Sequence, residues 1–431
     1  MKILITNTVA LNGGDCAILY SLIDLLRQVF GEKTEFTVYD NAPDVARRYH
    51  PDIRFRELLY IRARKSFRRI KGSRFLPNRL ILLRFYFGAW CWRNRLRFLS
   101  NAILTKAECE DLELYQTADL IVSTGGTYLV EDYSLTSRIF DFKISLLMNK
   151  PLVLFTQSLG PFRNEPNRRQ LRKIFEKSLL IFVRDKTSHN HLEDLNIDMR
   201  KVSIFPDVVF ASIPELIGPE MRDDLAQRQQ SLHIAISVRH WRHFKNTNEQ
   251  HGMERYIEVM RDIVAHLVRK HSARVTFIST CQGIPEYWLD DSKVAEKIYS
   301  GLTEEVKTSI HVDNRFHTPG ELTRFLASVD IVISTRMHMA ILALIAGTPV
   351  MPIAYEFKTI ELFKRLGMGK WTQDIETIDG DSFINSLDSF LEQTPNICEV
   401  ISKRIPEEKN LVLRSGKKVK DEYEKKIGLS R

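Results

Sequence analysis

Two stretches of this chain echo one another. ADLIVSTGGTYL (residues 118–129) and VDIVISTRMHMA (residues 329–340) share an Asp, three apolar residues, Ser and Thr. Each reads as a buried strand running straight into a loop. Around each lies a series of short apolar runs alternating with helical patterns. In the first series the runs are 2–6, 35–39, 120–123, 152–156, 180–183 and 202–205, with helices at 16–30, 136–148, 168–178 and 186–195. In the second the runs are 233–238, 274–280, 310–312, 331–334 and 350–353, with helices at 253–270, 320–328, 337–346 and 359–366. Strands apolar on both faces and spaced by helices predict a parallel sheet covered on both sides. Two such series predict an α/β chain of two Rossmann-like domains facing across a cleft. The ligand crevice of such sheets lies at the carboxyl ends of the strands.

A chain of 431 residues exceeds one core of usual size. The boundaries expected are a first domain over 1–210 with an insertion near 58–107, a linker over 211–231, a second domain over 232–400, and a charged helix or tail over 401–431. The linker is polar, holds two prolines and lacks a strand pattern. Five cysteines with no CxxC pair speak against a disulfide framework and a Cys-based zinc site. The opening residues do not form a signal peptide, and no run is long and apolar enough to span a bilayer. A cytoplasmic location is the expectation.

The strand ends carry the chemistry. Arg336 and His338 stand between the run 331–334 and a nearly continuous apolar helix closed by Gly347. Amide groups at a helix start favour an anion, and Arg adds a permanent charge with a planar donor fork. The alternative is that Arg336 pairs with a core carboxylate while His338 caps or packs. Arg239 leaves the first strand of the second series in the same manner and brings a second cation to a carboxyl end. His240, Arg242, His243 and Lys245 read as a solvated basic loop. Asn12-Gly13-Gly14-Asp15 marks a strand-to-helix turn but is no nucleotide fingerprint. Asp15 is either the helix cap or a carboxylate accepting from a substrate hydroxyl. Gln157 in TQSLGPF is a neutral hydrogen-bonding group at another strand end, and Lys358 is a donor contact or an exposed cation.

The set NGGDCA, STGGTYL, TQSLGPF, VRDKTS, FPDVVF, SVR, STRMHMAILALIAGTPV and YEFKTIELFKRLG resembles the polysaccharide pyruvyl transferase family, in order and spacing, from about residue 3 to residue 370. Two departures stand out: Thr127 and Thr156 occupy positions where that family often has glycine. The resemblance implies a GT-B-type glycosyltransferase-like fold, phosphoenolpyruvate as donor and a pyruvate ketal on a sugar as product. It places Arg239, Arg336 and His338 where the donor is held. His338 would be the catalytic acid or base, the arginines the anion grip, and Asp15, Gln157 and Lys358 further substrate contacts. No cofactor and no metal is expected. A nucleotide-sugar glycosyltransferase of the same architecture is the alternative enzyme. A non-catalytic, membrane-bound component of a glycan assembly complex is the alternative outside enzymes.

Charge is uneven along the chain. Between Leu58 and Ala107 lie thirteen Lys and Arg and no acid, leaving 50 basic against 54 acidic residues elsewhere. Aromatic residues interleave with the cations. Three readings are open: an interfacial helix on an anionic membrane, a nucleic-acid surface, or a packed helix with a basic face. The first is favoured, with Arg79, Arg84, Trp90, Trp92, Arg93, Arg95 and Arg97 as docking residues. Nucleic acid is not expected, because no known module's motif is present. A glycan acceptor carried on a lipid would explain membrane contact.

Overall fold

The computed structural model describes residues 1–68, 78–212 and 231–428. It divides into two compact units. The first comprises Met1–Ala10, Ile18–Val208 and the chain from Leu411 onward; the second comprises Leu11–Ala17 and Val209–Asn410.

The first unit holds β1 (Lys2–Thr8), β2 (Glu35–Asp40), β3 (Phe55–Glu57), β4 (Leu120–Ser123), β5 (Gly126–Leu129), β6 (Leu152–Leu159), β7 (Leu180–Val183) and β8 (Val202–Ile204). Their order is β3-β2-β1-β4-β6-β7-β8, with β5 beside β6, and every pair is parallel. The second unit holds β9 (His233–Ser237), β10 (Arg274–Phe277), β11 (Ile310–Val312), β12 (Ile331–Ser334), β13 (Val350–Ala354) and β14 (Gln373–Asp374), in the order β11-β10-β9-β12-β13-β14, again all parallel. The central strands are buried along nearly their whole length, β4, β6, β7, β12 and β13 on both faces. Each unit is therefore a doubly wound sheet. Strand order reverses between β1 and β4 in the first and between β9 and β12 in the second, and the carboxyl ends there form the ligand crevice of such sheets.

The sequence echo falls on those switch strands. Asp119, just before β4, accepts a hydrogen bond on its carboxylate from the Lys2 amide at 2.7 Å. Asp330, just before β12, accepts one from the His233 amide at 2.6 Å. At the other end the Thr124 amide donates to the Thr6 carbonyl at 3.1 Å, and the Thr335 amide to the Ser237 carbonyl at 2.8 Å. The shared residues pin the register of the switch strand at both ends in both units.

Three strands escaped the sequence reading, β3, β5 and β14, each four residues or fewer. Most of the expected linker lies outside the described residues. The expected charged helix or tail over 401–431 falls in a helix that runs over Thr394–Gly428, the last part of which belongs to the first unit. Val412, Ser415 and Val419 are fully buried. A Cβ at Gly416 would stand 2.9 Å from the Leu25 and Val29 side chains, so glycine there lets the helix approach closely.

Among the described residues the basic insertion forms three helices, Leu59–Arg68, Asn78–Arg93 and Arg97–Ile103. Its missing acids come from the next helix, Lys106–Thr117. Glu108 is fully buried and takes the Arg84 guanidinium, while buried Asp111 takes Arg62 at 2.8 Å and also Arg56. Nearby, Asp141 is buried on the helix Thr136–Leu147 and accepts from the Tyr60 amide at 3.2 Å. Its second oxygen, Oδ2, has no hydrogen-bond partner among the described residues. Burial pushes its pKa up to about 7, against the pull of Arg138.

The native state thus keeps this proton to higher pH than the unfolded chain does. Between pH 4 and pH 7 it binds more protons, so the contribution of Asp141 to stability falls as pH rises through that window. Asp141→Asn keeps the acceptor for Tyr60 and removes the charge. It is expected to stabilise the protein by on the order of 2 kcal/mol at pH 8 and by much less at pH 4.5. Urea denaturation midpoints at the two pH values check this; an equal effect at both would refute it.

Candidate active site

The switch point of the second unit presents two arginines. Ser334 of β12 lies in register with Ser237 of β9. Two residues beyond each of these paired serines stand Arg336 and Arg239. Thr335 and Tyr256 brace the strand ends with a buried hydroxyl–hydroxyl bond of 2.6 Å. Burial and closeness to negative charge push the Tyr256 phenol well above its usual range, so it stays a hydroxyl.

Arg336 is 7% exposed and is held by Asp291, which is 1% exposed. Nε and Nη2 each donate to a carboxylate oxygen at 2.7 Å, a parallel two-bond fork. Asp291 also accepts from the Ser279 hydroxyl at 2.6 Å. Burial works against the Arg336 charge, but Asp291 outweighs it and holds the guanidinium pKa well above its ordinary value. Pairing with a core carboxylate was one of the two readings of Arg336 open in the sequence. The pair leaves the Nη1 edge without a hydrogen bond to a described residue.

Arg239 is half-buried and makes no ion pair with a described residue. Its guanidinium lies 4.0 Å from the Tyr355 ring centre and 5.1 Å from that of Trp241, and those two rings are 4.6 Å apart. The aromatic wall fixes the plane of the cation; its Nε donates to the His240 carbonyl at 3.3 Å, and the two Nη groups are left to other acceptors.

His338 is the second residue of the helix Met337–Ile345, which Gly347 terminates at φ +81°. The NGGD turn packs on it. A Cβ at Gly14 would stand 2.5 Å from His338 Nδ1, and one at Gly13 would stand 2.0 Å from the Thr280 carbonyl oxygen. Both glycines are required by close approach. The Gly13 amide donates to that carbonyl at 3.1 Å. Asn12, not Asp15, caps the helix Gly13–Phe30: its Oδ1 accepts from the Gly14 amide at 3.0 Å, and its backbone carbonyl from Cys16 at 2.8 Å. That leaves Asp15 in the first turn, half-buried, within electrostatic reach of Cys281 and Tyr287. Tyr287 in turn shares a hydrogen bond with the Asn12 side chain. Asp15, Arg239, Asp291 and Arg336 all act on the Cys281 thiol, so these groups converge on one region of the second unit. Burial pushes that thiol up to about 12, which rules it out as a nucleophile near neutral pH.

Lys358 opens the helix Phe357–Arg365 and pairs with Glu356 at 2.6 Å; its side chain is largely buried, not the exposed cation of the second reading. Gln157 lies in the first unit. It is wholly buried, and its amide is committed to the Ser123 hydroxyl at 3.2 Å and to the Thr124 carbonyl. It braces the β4–β6 ends there. The first unit's other motifs meet beside it. Arg184 of VRDKTS is buried against Asp207 of FPDVVF, donates to the Ser158 hydroxyl of TQSLGPF at 2.8 Å, and reaches the Thr127 hydroxyl of STGGTYL at 3.0 Å. Thr127 thus gives Arg184 an acceptor that glycine would not. Thr156 sits at φ +41°, the left-handed region that suits glycine and strains a β-branched residue.

Among the described residues one trio has metal-ligand chemistry, His266, His271 and Asp388. Both imidazoles bond one Asp388 oxygen at 2.9 and 2.8 Å, and Lys270 takes the other at 2.8 Å. This is a carboxylate tying down the cationic end of the helix Glu249–His271.

The basic segment has two faces. Arg84 and Trp92 turn inward, Arg84 onto Glu108 and Trp92 into the core at 8% exposure. Arg97 lies over the Trp92 ring at 3.4 Å and donates to Gln116 at 2.9 Å. As docking residues Arg84 and Trp92 are corrected, since both are spent on packing, while Arg97 stays partly exposed. Arg79, Trp90, Arg93 and Arg95 remain exposed. Beside them Leu80, Leu83, Tyr86, Phe87, Leu96, Phe98 and Leu99 are exposed too, Phe98 by 83%. No helix among the described residues is long and apolar enough to cross a membrane.

Comparison with known proteins follows the same lines. The amylovoran biosynthesis protein AmsJ of Erwinia amylovora is 25% identical over 315 residues, 72% of this chain and 73% of that one. Anabaena HepE, solved in complex with UDP, superposes with a TM-score of 0.57 at 12% identity over 98% of this chain and 99% of that one. The UDP-GlcNAc 2-epimerase of Neisseria meningitidis, solved with UDP-GlcNAc, gives 0.56 at 13% over 99% and 100%. At those identities the two structures establish the fold, two Rossmann-like units of the GT-B class, and nothing of the ligand. The order of motifs is matched by a family model across residues 12–356, and this chain belongs to the polysaccharide pyruvyl transferase family.

Proposed function

We propose that this chain transfers pyruvate from phosphoenolpyruvate to a sugar of a surface polysaccharide, or of its lipid-linked precursor, forming a pyruvate ketal. The observation that carries this reading is Arg239: a cation with no counter-ion among the described residues, stacked on Tyr355 and Trp241. The donor brings a carboxylate and a phosphate within a small volume. Arg239 meets one with its outward edge. Arg336, its plane locked by Asp291, adds charge through Nη1. Each charge-assisted hydrogen bond contributes roughly 1.5–3 kcal/mol.

His338 is assigned the proton transfers. It delivers a proton to the donor's methylene carbon, which becomes the ketal methyl group. One sugar hydroxyl attacks the central carbon and loses its proton. The carbon–oxygen bond to phosphate then breaks, phosphate leaves with the bonding pair, and the second hydroxyl closes the ring and loses its proton. Asp15, in the first turn of the helix Gly13–Phe30, is assigned the role of accepting from a sugar hydroxyl. Asp291 is a positioning residue: it acts only through Arg336.

Membrane docking belongs to the same reading. On the helix Asn78–Arg93, Leu80, Leu83, Phe87 and Trp90 recur at helical spacing on the exposed side. Phe87 and Trp90 stack at 6.0 Å. Exposed Arg79, Arg93 and Arg95 flank this apolar row, the pattern of a segment lying in the headgroup region of an anionic bilayer. That location would bring the enzyme to a lipid-linked acceptor.

Three outcomes follow. His338→Ala is expected to lower acceptor-dependent phosphate release from phosphoenolpyruvate by about a hundredfold or more, within the range typical of acid–base catalysis. A loss under tenfold would remove the role assigned to it, and a thermal shift with UDP-sugars but not phosphoenolpyruvate would favour the nucleotide-sugar alternative. Asp291→Ala leaves the buried Arg336 charge unpaired and should cost about 3–5 kcal/mol in urea denaturation; a cost below 1 kcal/mol would show that the pair does not organise the site. In liposome flotation the protein should float with anionic vesicles and not with neutral ones, and replacing Leu83, Phe87, Trp90 and Phe98 together by Ser should abolish this. Equal flotation with both vesicle types would refute electrostatic docking.

A further inference from the structure

We propose that Trp288 and Arg242 form a carbohydrate platform at the rim of the site in the second unit, on which a pyranose of the acceptor glycan stacks. This rests on the pyruvyl-transfer reading and adds a place for the acceptor to it.

Trp288 is 71% exposed, an unusual state for the largest apolar side chain. It does not stand on a loose segment. The loop between β10 and the helix Ser292–Ser300 is pinned along its length. The Ser279 amide donates to Gln282 Oε1 at 2.7 Å, Gln282 Nε2 to the Arg315 carbonyl at 3.0 Å, and the Asp291 amide to the Cys281 carbonyl at 2.8 Å. Gly283 takes φ +71°, and a Cβ there would stand 2.1 Å from the Phe316 amide nitrogen. Cys281 and Ile284 of this loop are buried. Tyr287 bonds Asn12 of the turn that packs on His338, and Asp291 holds Arg336. The loop thus spends its other large side chains inward on the site and turns one indole outward.

The neighbours of that indole define the ligand. Its ring centre lies 5.9 Å from that of Tyr287, and the Arg242 guanidinium lies over it at 5.9 Å. Arg242 follows Arg239 by three residues and is only loosely paired with Glu249, at 3.9 Å. A flat, electron-rich face beside a donor fork suits a pyranose. The sugar's C–H face lies on the indole, and its hydroxyl oxygens, or the carboxylate of an acidic sugar, accept from Arg242. A sugar seated there adjoins the turn that carries Asp15.

The test uses the whole protein and oligosaccharides cut from the host's own surface polysaccharide after mild-acid removal of pyruvate. Trp288→Ala should raise the acceptor KM by about tenfold, the scale of a lost aromatic anchor, with a much smaller change in kcat. Trp288→Phe, which keeps a ring, should recover most of that. The oligosaccharide should quench tryptophan fluorescence in the wild type and not in Trp288→Phe. If phosphoenolpyruvate still shifts the melting temperature but acceptor KM and quenching are unchanged by Trp288→Ala, the platform is refuted and the donor reading stands. If UDP quenches the wild type and the oligosaccharide does not, the indole stacks a base and the platform is again refuted. If phosphoenolpyruvate gives no shift at all, it is the donor reading that fails.

Discussion

The two-bond fork between Arg336 and Asp291 is the constraint on which the site depends. A guanidinium and a carboxylate taken out of water together are costly, and their mutual attraction offsets that only when the geometry is good and the remaining groups are satisfied. Here the Ser279 hydroxyl adds a bond to the Asp291 carboxylate, and the Cys281 carbonyl holds the Asp291 amide. One residue ends the switch strand β12, and the other ends the loop that carries Cys281, Tyr287 and Trp288. Tying them together ties that loop to the strand. Through Tyr287 and Asn12 it also fixes the turn against which His338 rests. The charge that looked like a ligand grip in the sequence is first a clamp, and its unspent edge is what remains for a ligand.

Much of this was legible in the sequence, and the reasons for the rest are physical. Strands buried on both faces, between amphipathic helices, predict a doubly wound sheet wherever they occur, and cations at their carboxyl ends are conspicuous. Asp291 was not legible. It follows Asp290 in a loop 45 residues before its partner, and nothing local separates the buried carboxylate from the half-buried one. The role of Asp15 stayed open for a similar reason: Asn12 and Asp15 both suit a helix start, and only the backbone decides which of them caps it. The basic segment shows the limit of reading charge along a chain. Arg79 and Arg84 are five residues apart on one helix, about 140° around its axis. One faces out, and the other meets an acid that the sequence places after the segment ends.

The two departures from the family's glycine positions find different explanations. Thr127 offers its hydroxyl to Arg184, whose other donors are held by Asp207 and Ser158. Thr156 gains no such partner: its hydroxyl is buried without a hydrogen bond to a described residue, in a left-handed backbone. Such strain persists only where the surroundings over-determine the conformation. Thr156 is followed directly by Gln157 and Ser158, whose side chains are both committed to this polar network, and β6 is paired on either side.

The grouping of Leu11–Ala17 with the second unit has a consequence for how the site comes into being. The glycine that makes room for His338, Gly14, is made more than three hundred residues before His338 itself. A fragment holding only Val209–Asn410 would contain every strand of its sheet and still lack the turn that packs on His338. The site is a product of the chain's continuity. No nascent chain holds it until synthesis has passed the second switch strand, and a break that releases the opening residues would disarm it while leaving β9 to β14 intact.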